Sequence, residues 1–366
     1  MNVLGLAYYG PWAATTRVRL GQYQAPLRQL GINLEVRSFL GDWYRTRRGS
    51  GSSARAFASP RLMGAVFRRA FSGFDARRFD KVILTRELIP FVPAFLERAL
   101  LSRPFIYDLD DANYLLYRYK GPTPRLPGMA HKIDGLIQRA EAVLAGSETL
   151  AAYTRVLNQA TVVIPSVVDT ERCQVASPVS KDHVVIGWIG SPATAHYLNA
   201  LVAPLSRLAQ RAKIRLRVVG GRAPAIPGVV TEEVEWSERT EVSLIQSFDV
   251  GIMPLFDDPW SRGKCAYKLI QCMACGVPVV ASPVGANTEV VTAECGLLAS
   301  SESEWLSALA TLVHDEPLRR SMGQAGRDRI QRHYSLVTAA PRLAAVLRGT
   351  AAHQLTGNSG DASARR

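Results

Sequence analysis

The feature that most constrains this chain is an alternation of short apolar runs with longer stretches of helical spacing. Val3–Tyr9, Ile32–Phe39, Lys81–Thr85, Phe105–Leu109, Ala142–Ala145 and Thr161–Ile164 read as strands. Arg17–Leu30, Leu88–Leu101, Ala130–Ala140 and Thr149–Leu157 read as the helices between them. After Pro165 the series restarts. Val184–Ile189, Ile214–Val219, Val229–Trp236, Val250–Leu255, Val277–Ala281 and Leu297–Ala299 are strands, with helices at Thr194–Ala212, Glu241–Ser247, Lys264–Cys275, Glu302–Val313 and Leu318–His333. Apolar strands separated by helices form parallel sheets covered on both faces, so the predicted class is α/β. Two series, each with its own opening strand, predict two doubly wound domains. The polar, aperiodic segment SVVDTERCQVASPVSKD marks the seam. The expected division is a first domain over 1–168, a linker over 169–182, a second domain over 183–337 and a tail over 351–366. At roughly 100–200 residues per domain, the 366 residues suit that division. Basic, Gly/Ser-rich Arg45–Pro60 and the polar tail are expected to be loose. In such folds ligands sit at the carboxyl ends of the strands, so a cleft between two facing domains is the default site.

Several classes drop out. No run of about 18 apolar residues exists, which excludes a membrane-spanning helix. Met1 opens directly on an apolar run with no basic segment before it, so no secretory signal and a cytoplasmic location are expected. Five cysteines, three of them crowded at Cys265, Cys272 and Cys275, argue against a disulfide scaffold. Lys plus Arg number 44 against 31 acidic residues, a net charge of +13. Only seven of these are lysines. Such an arginine excess suits phosphate-bearing partners, whether nucleic acid, nucleotide-sugar or an anionic membrane; codon bias in a GC-rich genome explains it equally well. No nucleic-acid-binding module accompanies the charge, so no nucleic-acid partner is expected.

The chemistry concentrates in DVGIMPLFDDPWSRGKCAYKLIQCMACGVPVVASPVGAN, residues 249–287. It reads as strand, loop, a helix starting near Lys264, a buried strand and a glycine turn. A helix start presents unpaired N–H groups that favour a phosphate. Arg262, Gly263 and Lys264 lie there, and Lys268 follows four residues on, on the same helix face. Like charges at that spacing repel by a few tenths of a kcal/mol, which an anion between them would relieve; a solvated basic face is the alternative. Asp108, Asp110 and Asp111 end an apolar strand, where a carboxylate could serve as base, Mg²⁺ ligand or plain polar turn. Cys272-x2-Cys275 lacks a second pair and reads as core, not metal site. His196 could touch phosphate or be structural. Arg61–Arg78 joins apolar and arginine residues as interfacial helices do, and equally as a helix packed on its own domain does.

These residues carry a resemblance. DVGIMPL, the RGK–YK–Q–MA spacing and CGVPVVASPVGAN resemble the nucleotide-binding motif of family 4 glycosyltransferases of the GT-B fold. LAYYGPWAATTRVRLGQY, FIYDLDDANY, RAEAVLAGSETLAAYTR and VVIGWIGSPATAHYL extend it from about residue 1 to 348. The resemblance implies two facing Rossmann-like domains with a helix over 338–350 crossing back to the first. It implies transfer of a sugar, with retention, from a nucleotide diphosphate sugar to a hydroxyl acceptor, without metal or other cofactor. The acceptor would be part of a polysaccharide or glycoconjugate, such as a lipid-linked glycan at the inner membrane leaflet. It assigns donor contacts to Ser191, Arg262, Gly263, Lys264, Lys268, Gln271 and Glu289, catalysis to Asp110 and Asp111, and acceptor-side contacts to Arg17 and Arg19. The family's two glutamates fall here on Gly263 and Gln271. A silent nucleotide-binding paralogue, a scaffold or an epimerase are the rival readings.

Overall fold

The computed structural model describes residues 1–41, 60–101, 103–119, 129–176 and 181–350. Residues 42–59, most of the Arg45–Pro60 stretch, and the tail over 351–366 lie outside them. The chain divides into two compact units, Met1–Ser166 with the segment from Ala339 onward, and Val167–Thr338.

The first unit holds β1 (Asn2–Tyr9), β2 (Asn33–Leu40), β3 (Lys81–Thr85), β4 (Ile106–Leu109), β5 (Ala142–Ala145) and β6 (Thr161–Val163). They form one sheet in the order β2-β1-β3-β4-β5-β6. Every pairing is parallel. Six consecutive residues of β1 are buried, as a strand covered on both faces requires. The second unit holds β7 (Val184–Ile189), β8 (Ile214–Val219), β9 (Val230–Val234), β10 (Val250–Met253), β11 (Val279–Ala281) and β12 (Gly296–Leu298). Its sheet, also parallel, runs β12-β11-β10-β7-β8-β9. Chain direction across each sheet reverses once, between β1 and β3 in the first and between β7 and β10 in the second. Those reversals are where loops part and a ligand can enter.

The helices depart from the sequence pattern at informative places. Arg17–Leu30 is broken into Ala14–Arg19, a short 3-10 turn and Gln24–Gln29. Leu88–Leu101 shortens to Ala94–Leu100, because Pro90 and Pro93 cannot continue a helix. Pro192–Leu201 forms a 3-10 helix before the α-helix Val202–Ala209. The helix expected from Lys264 begins only at Tyr267, after Ala266 at φ +51°. The last helix, Leu336–Leu347, carries the chain from the second unit into the first.

Candidate active site

In the second unit the loops after β7, β10 and β11 converge. Asp258 caps the short helix Pro259–Arg262, accepting from the Ser261 N–H at 2.9 Å and the Ser261 hydroxyl at 3.0 Å. That hydroxyl also meets the Tyr197 phenol at 2.9 Å, tying the loop to the 3-10 helix. Gly285, at φ +53°, lies against the Arg262 carbonyl, where any Cβ would come within 2.3 Å. The Leu255 N–H donates to the Ser282 hydroxyl at 2.9 Å, which joins the β10 and β11 loops.

Lys268 points into this convergence. Its Nζ lies 4.2 Å from the centre of the Trp188 ring and 3.4 Å from the Thr194 Oγ1. A Cβ on Gly190, at the end of β7, would come within 2.6 Å of the Trp188 ring and 2.7 Å of that Nζ, so a side chain there would displace both. Burial, reinforced by Lys264, pushes the Lys268 ammonium down to about 7. Lys264 is not on the same helix face: it sits in the loop before Tyr267, its Nζ 6.0 Å from the Trp260 ring. The two charges still interact, but through the loop fold and not through helical spacing. Gln271, one turn beyond Lys268, is buried. Ser191 is exposed at the start of the 3-10 helix, and Gly263 is buried at the end of Pro259–Arg262. The Arg262 guanidinium is occupied on the surface by Asp257, with contacts of 2.6 and 3.0 Å. Glu289 is half-buried; its carbonyl accepts from Arg329 at 2.8 Å. His196 is exposed, its Nδ1 3.0 Å from the Ala193 carbonyl. All five cysteines are buried, and none forms a disulfide.

In the first unit, the carboxyl ends of β1, β3 and β4 form the corresponding rim. Arg19 is no surface residue: its guanidinium grips Asp108 through Nη2 at 2.5 Å and Nε at 3.1 Å to both oxygens, and Nη1 donates to the Ile164 carbonyl at 2.7 Å. It is a buried clamp. Arg17, on the same short helix, is half-buried. Asp110 is half-exposed at the end of β4, and its carboxyl is pushed up to about 6 by burial and the charge of Asp108, against the pull of Arg19 and a Thr15 hydrogen bond. Asp111 turns inward to its own backbone, accepting the Ala112 N–H at 2.9 Å. Among the described residues no three His, Cys, Asp or Glu side chains are grouped to hold a metal. Sequence reasoning missed Trp188 and Thr194, the seat of Lys268, and Arg86 with Tyr9 beside β3. A β-strand tryptophan gives no local sign of what lies over its ring.

The profile described as Glycosyl transferases group 1 matches residues 183–315, the stretch that contains Ser191, Lys264, Lys268 and Gln271. That stretch, about a third of the chain, is thus similar to the group 1 glycosyl transferases. Over 105 residues the chain is 36% identical to the D-inositol 3-phosphate glycosyltransferase of Corynebacterium aurimucosum, covering 28% of this chain and 24% of that protein. The match thus spans about a quarter of that relative's length. In structure it is similar to sucrose-phosphate synthase from Thermosynechococcus elongatus, at a TM-score of 0.70 and 16% identity over 96% of this chain and 100% of the other. It is also similar to Anabaena HepE in complex with UDP and glucose, at 0.67 and 17% over 95% of this chain and 100% of the other. Two parallel six-stranded sheets with flanking helices are the GT-B fold.

Proposed function

We propose that the chain is a glycosyltransferase that moves a sugar from a nucleoside diphosphate sugar to a hydroxyl of a glycoconjugate under assembly, with retention at the anomeric carbon. The observation that carries the reading is Lys268, whose Nζ is held at the carboxyl end of β7 over the Trp188 ring and beside Thr194. A diphosphate there would be met by Lys268 and Lys264, with the start of the Tyr267–Ala274 helix adding N–H donors. Gln271 offers its amide to a ribose hydroxyl. HepE, a structural relative, binds UDP and glucose, which supports the donor class. In the transfer, the bond to the diphosphate breaks to leave an oxocarbenium-like centre, and the acceptor oxygen bonds the anomeric carbon on the same face, which keeps the configuration. Asp110, in its ionised form, takes the hydroxyl proton or steadies the developing positive charge. No metal or other cofactor enters this scheme; the diphosphate charge is met by the lysines.

The acceptor side also supports contact with a membrane. The Pro60–Asp75 helix buries Ala65, Arg69, Ser72 and Gly73 and leaves Met63, Phe67, Phe71 and Phe74 exposed in one stripe. Arg61, Arg68, Arg77 and Arg78, all exposed, flank it. An apolar stripe rimmed by arginine fits an anionic lipid surface, and hence an acceptor at the inner leaflet. No described helix is long and apolar enough to cross a membrane.

Calorimetry with UDP and GDP tests the donor site. Lys268→Met should weaken the nucleotide that binds by roughly ten- to a hundredfold, the loss of a charge-assisted hydrogen bond. Equal affinity in wild type and variant overturns the assignment.

A further inference from the structure

Beneath the carboxyl end of β3 the described residues form a buried cluster of three cations and two carboxylates. Lys132 Nζ sits 2.6 Å from Glu87 Oε2 and 2.7 Å from Glu97 Oε1, all three side chains fully buried. Arg69, equally buried, donates to the carbonyls of Leu88 at 3.2 Å and Arg37 at 3.0 Å. Burial pushes it down to about 9, which leaves it charged at neutral pH. Arg86 is the third cation, its Nε 3.5 Å from a Glu87 carboxylate that Lys132 and the Tyr117 hydroxyl already engage. The neighbouring carboxylate, Asp108, is taken by Arg19. Among the described residues three cations therefore share two carboxylates, and an incompletely compensated buried charge is costly.

Arg86 is the cation that reaches solvent, with a side chain 20% exposed. The chain holds it there under strain. Its φ is +63°, rare for a residue with a side chain, in a three-residue turn closed by the Glu87 N–H to the Thr85 carbonyl at 2.9 Å. The Tyr107 hydroxyl clamps the Arg86 carbonyl at 2.5 Å. This turn lays the guanidinium 4.1 Å over the Tyr8 ring, with Nη1 donating to the Tyr9 hydroxyl at 2.7 Å. Among the described residues its buried Nε finds no hydrogen-bond acceptor beyond the 3.5 Å ion pair with Glu87, and neither does the indole N–H of Trp12, which flanks Tyr9 at 5.8 Å between rings. Strain sustained by its surroundings marks a functional position.

We propose that Arg86, oriented by Tyr9, is the contact for an anionic group of the acceptor, a phosphate or carboxylate, at the point where the first sheet reverses direction. The proposal rests on the reading of the first unit as the acceptor side. It names the acceptor class: a hydroxyl compound carrying a negative charge.

The test uses inorganic phosphate on the full chain saturated with UDP, so that the diphosphate site is filled. Melting temperature is followed against phosphate, with chloride at equal ionic strength as control. Wild type should show a saturable rise beyond chloride. Arg86→Asn, which tolerates the positive φ, should need about tenfold more phosphate or lose the response. Tyr9→Phe keeps the ring and removes the hydroxyl, and should weaken phosphate several-fold; it decides the matter should Arg86→Asn fail to fold. UDP affinity should be unchanged in both. A phosphate response identical in the variants and wild type, or none beyond chloride in wild type, overturns the proposal. Failure of UDP to bind wild type would instead overturn the donor reading.

Discussion

At the scale of single residues, two titrating groups make the proposed chemistry measurable. Lys268 has a folded-state value of about 7 against the ordinary 10.5, so between those values the unfolded chain binds more protons. Stability contributed by this residue therefore rises with pH from about 7 to about 10. A diphosphate beside the ammonium restores its charge. Binding of UDP at pH 8 should take up close to one proton, seen as a calorimetric enthalpy that varies with buffer ionisation heat; Lys268→Met should show no such variation. Buffer-independent heats in wild type would mean that Lys268 does not meet the diphosphate. Asp110 is raised to about 6 from 3.8, and in the proposed scheme it acts in its ionised form, so the transfer rate should climb with pH through about 6. Asp110→Asn should lower kcat and kcat/KM together and leave donor affinity unchanged; a variant with full activity removes the residue from the reaction. The residue types were legible in the sequence, since lysines are few and DLDD is conspicuous at a strand end. Their roles were less so. Arg19 looks like an acceptor contact on a short amphipathic stretch, yet a partner 89 positions away, Asp108, draws it into the core.

At the scale of elements, the twelve strands of the described residues were readable: central ones such as β1 are buried on both faces and written as apolar runs, while the edge strand β9, VTEEV, has no buried residue and was legible from its flanking valines. Helix starts were not. Between Gly263 and Tyr267 nothing in the side chains announces that Ala266 turns left-handed, and the late start separates Lys264 from the helix of Lys268. The Pro60–Asp75 helix was visible as amphipathic, but its periodicity could not say whether the apolar stripe faces in or out. The stripe faces out: Phe67 is 71% and Phe71 67% exposed, while the buried face holds an arginine and small residues. Phe67→Ser with Phe71→Ser should reduce co-sedimentation with phosphatidylglycerol vesicles by an order of magnitude or more, at about 25 cal/mol per Å² of apolar surface lost from the contact. UDP binding should be untouched. Binding to vesicles that persists in the double variant, or that ignores lipid charge, would assign the stripe to something other than an anionic membrane.

At the scale of the whole molecule, one helix decides how the units depend on one another along the chain. From Ala339 on, Leu336–Leu347 belongs to the first unit, although the preceding residues belong to the second. It buries Ala339, Ala340, Leu343, Ala344, Val346 and Leu347, while Arg342 donates to the Val163 carbonyl at 2.8 Å and Arg348 to that of Leu30. Val168, at the other crossing, receives and returns backbone hydrogen bonds with Tyr334 and Leu336 at 3.0 and 2.9 Å, within the second unit. A chain ending at Thr338 therefore strips the first unit of an apolar face without opening the sheet of the second. Each fully buried aliphatic side chain is worth about 1.5–3 kcal/mol, and the loss of several approaches the whole stability of a domain. Scanning calorimetry of the truncated chain should show the first unit melting far earlier or already unfolded. The remaining transition should still move upward with UDP, because Lys268, Gln271 and their supports all lie in Val167–Thr338. Loss of the UDP shift with the last helix would mean that donor binding requires the first unit, and would move part of the donor site there.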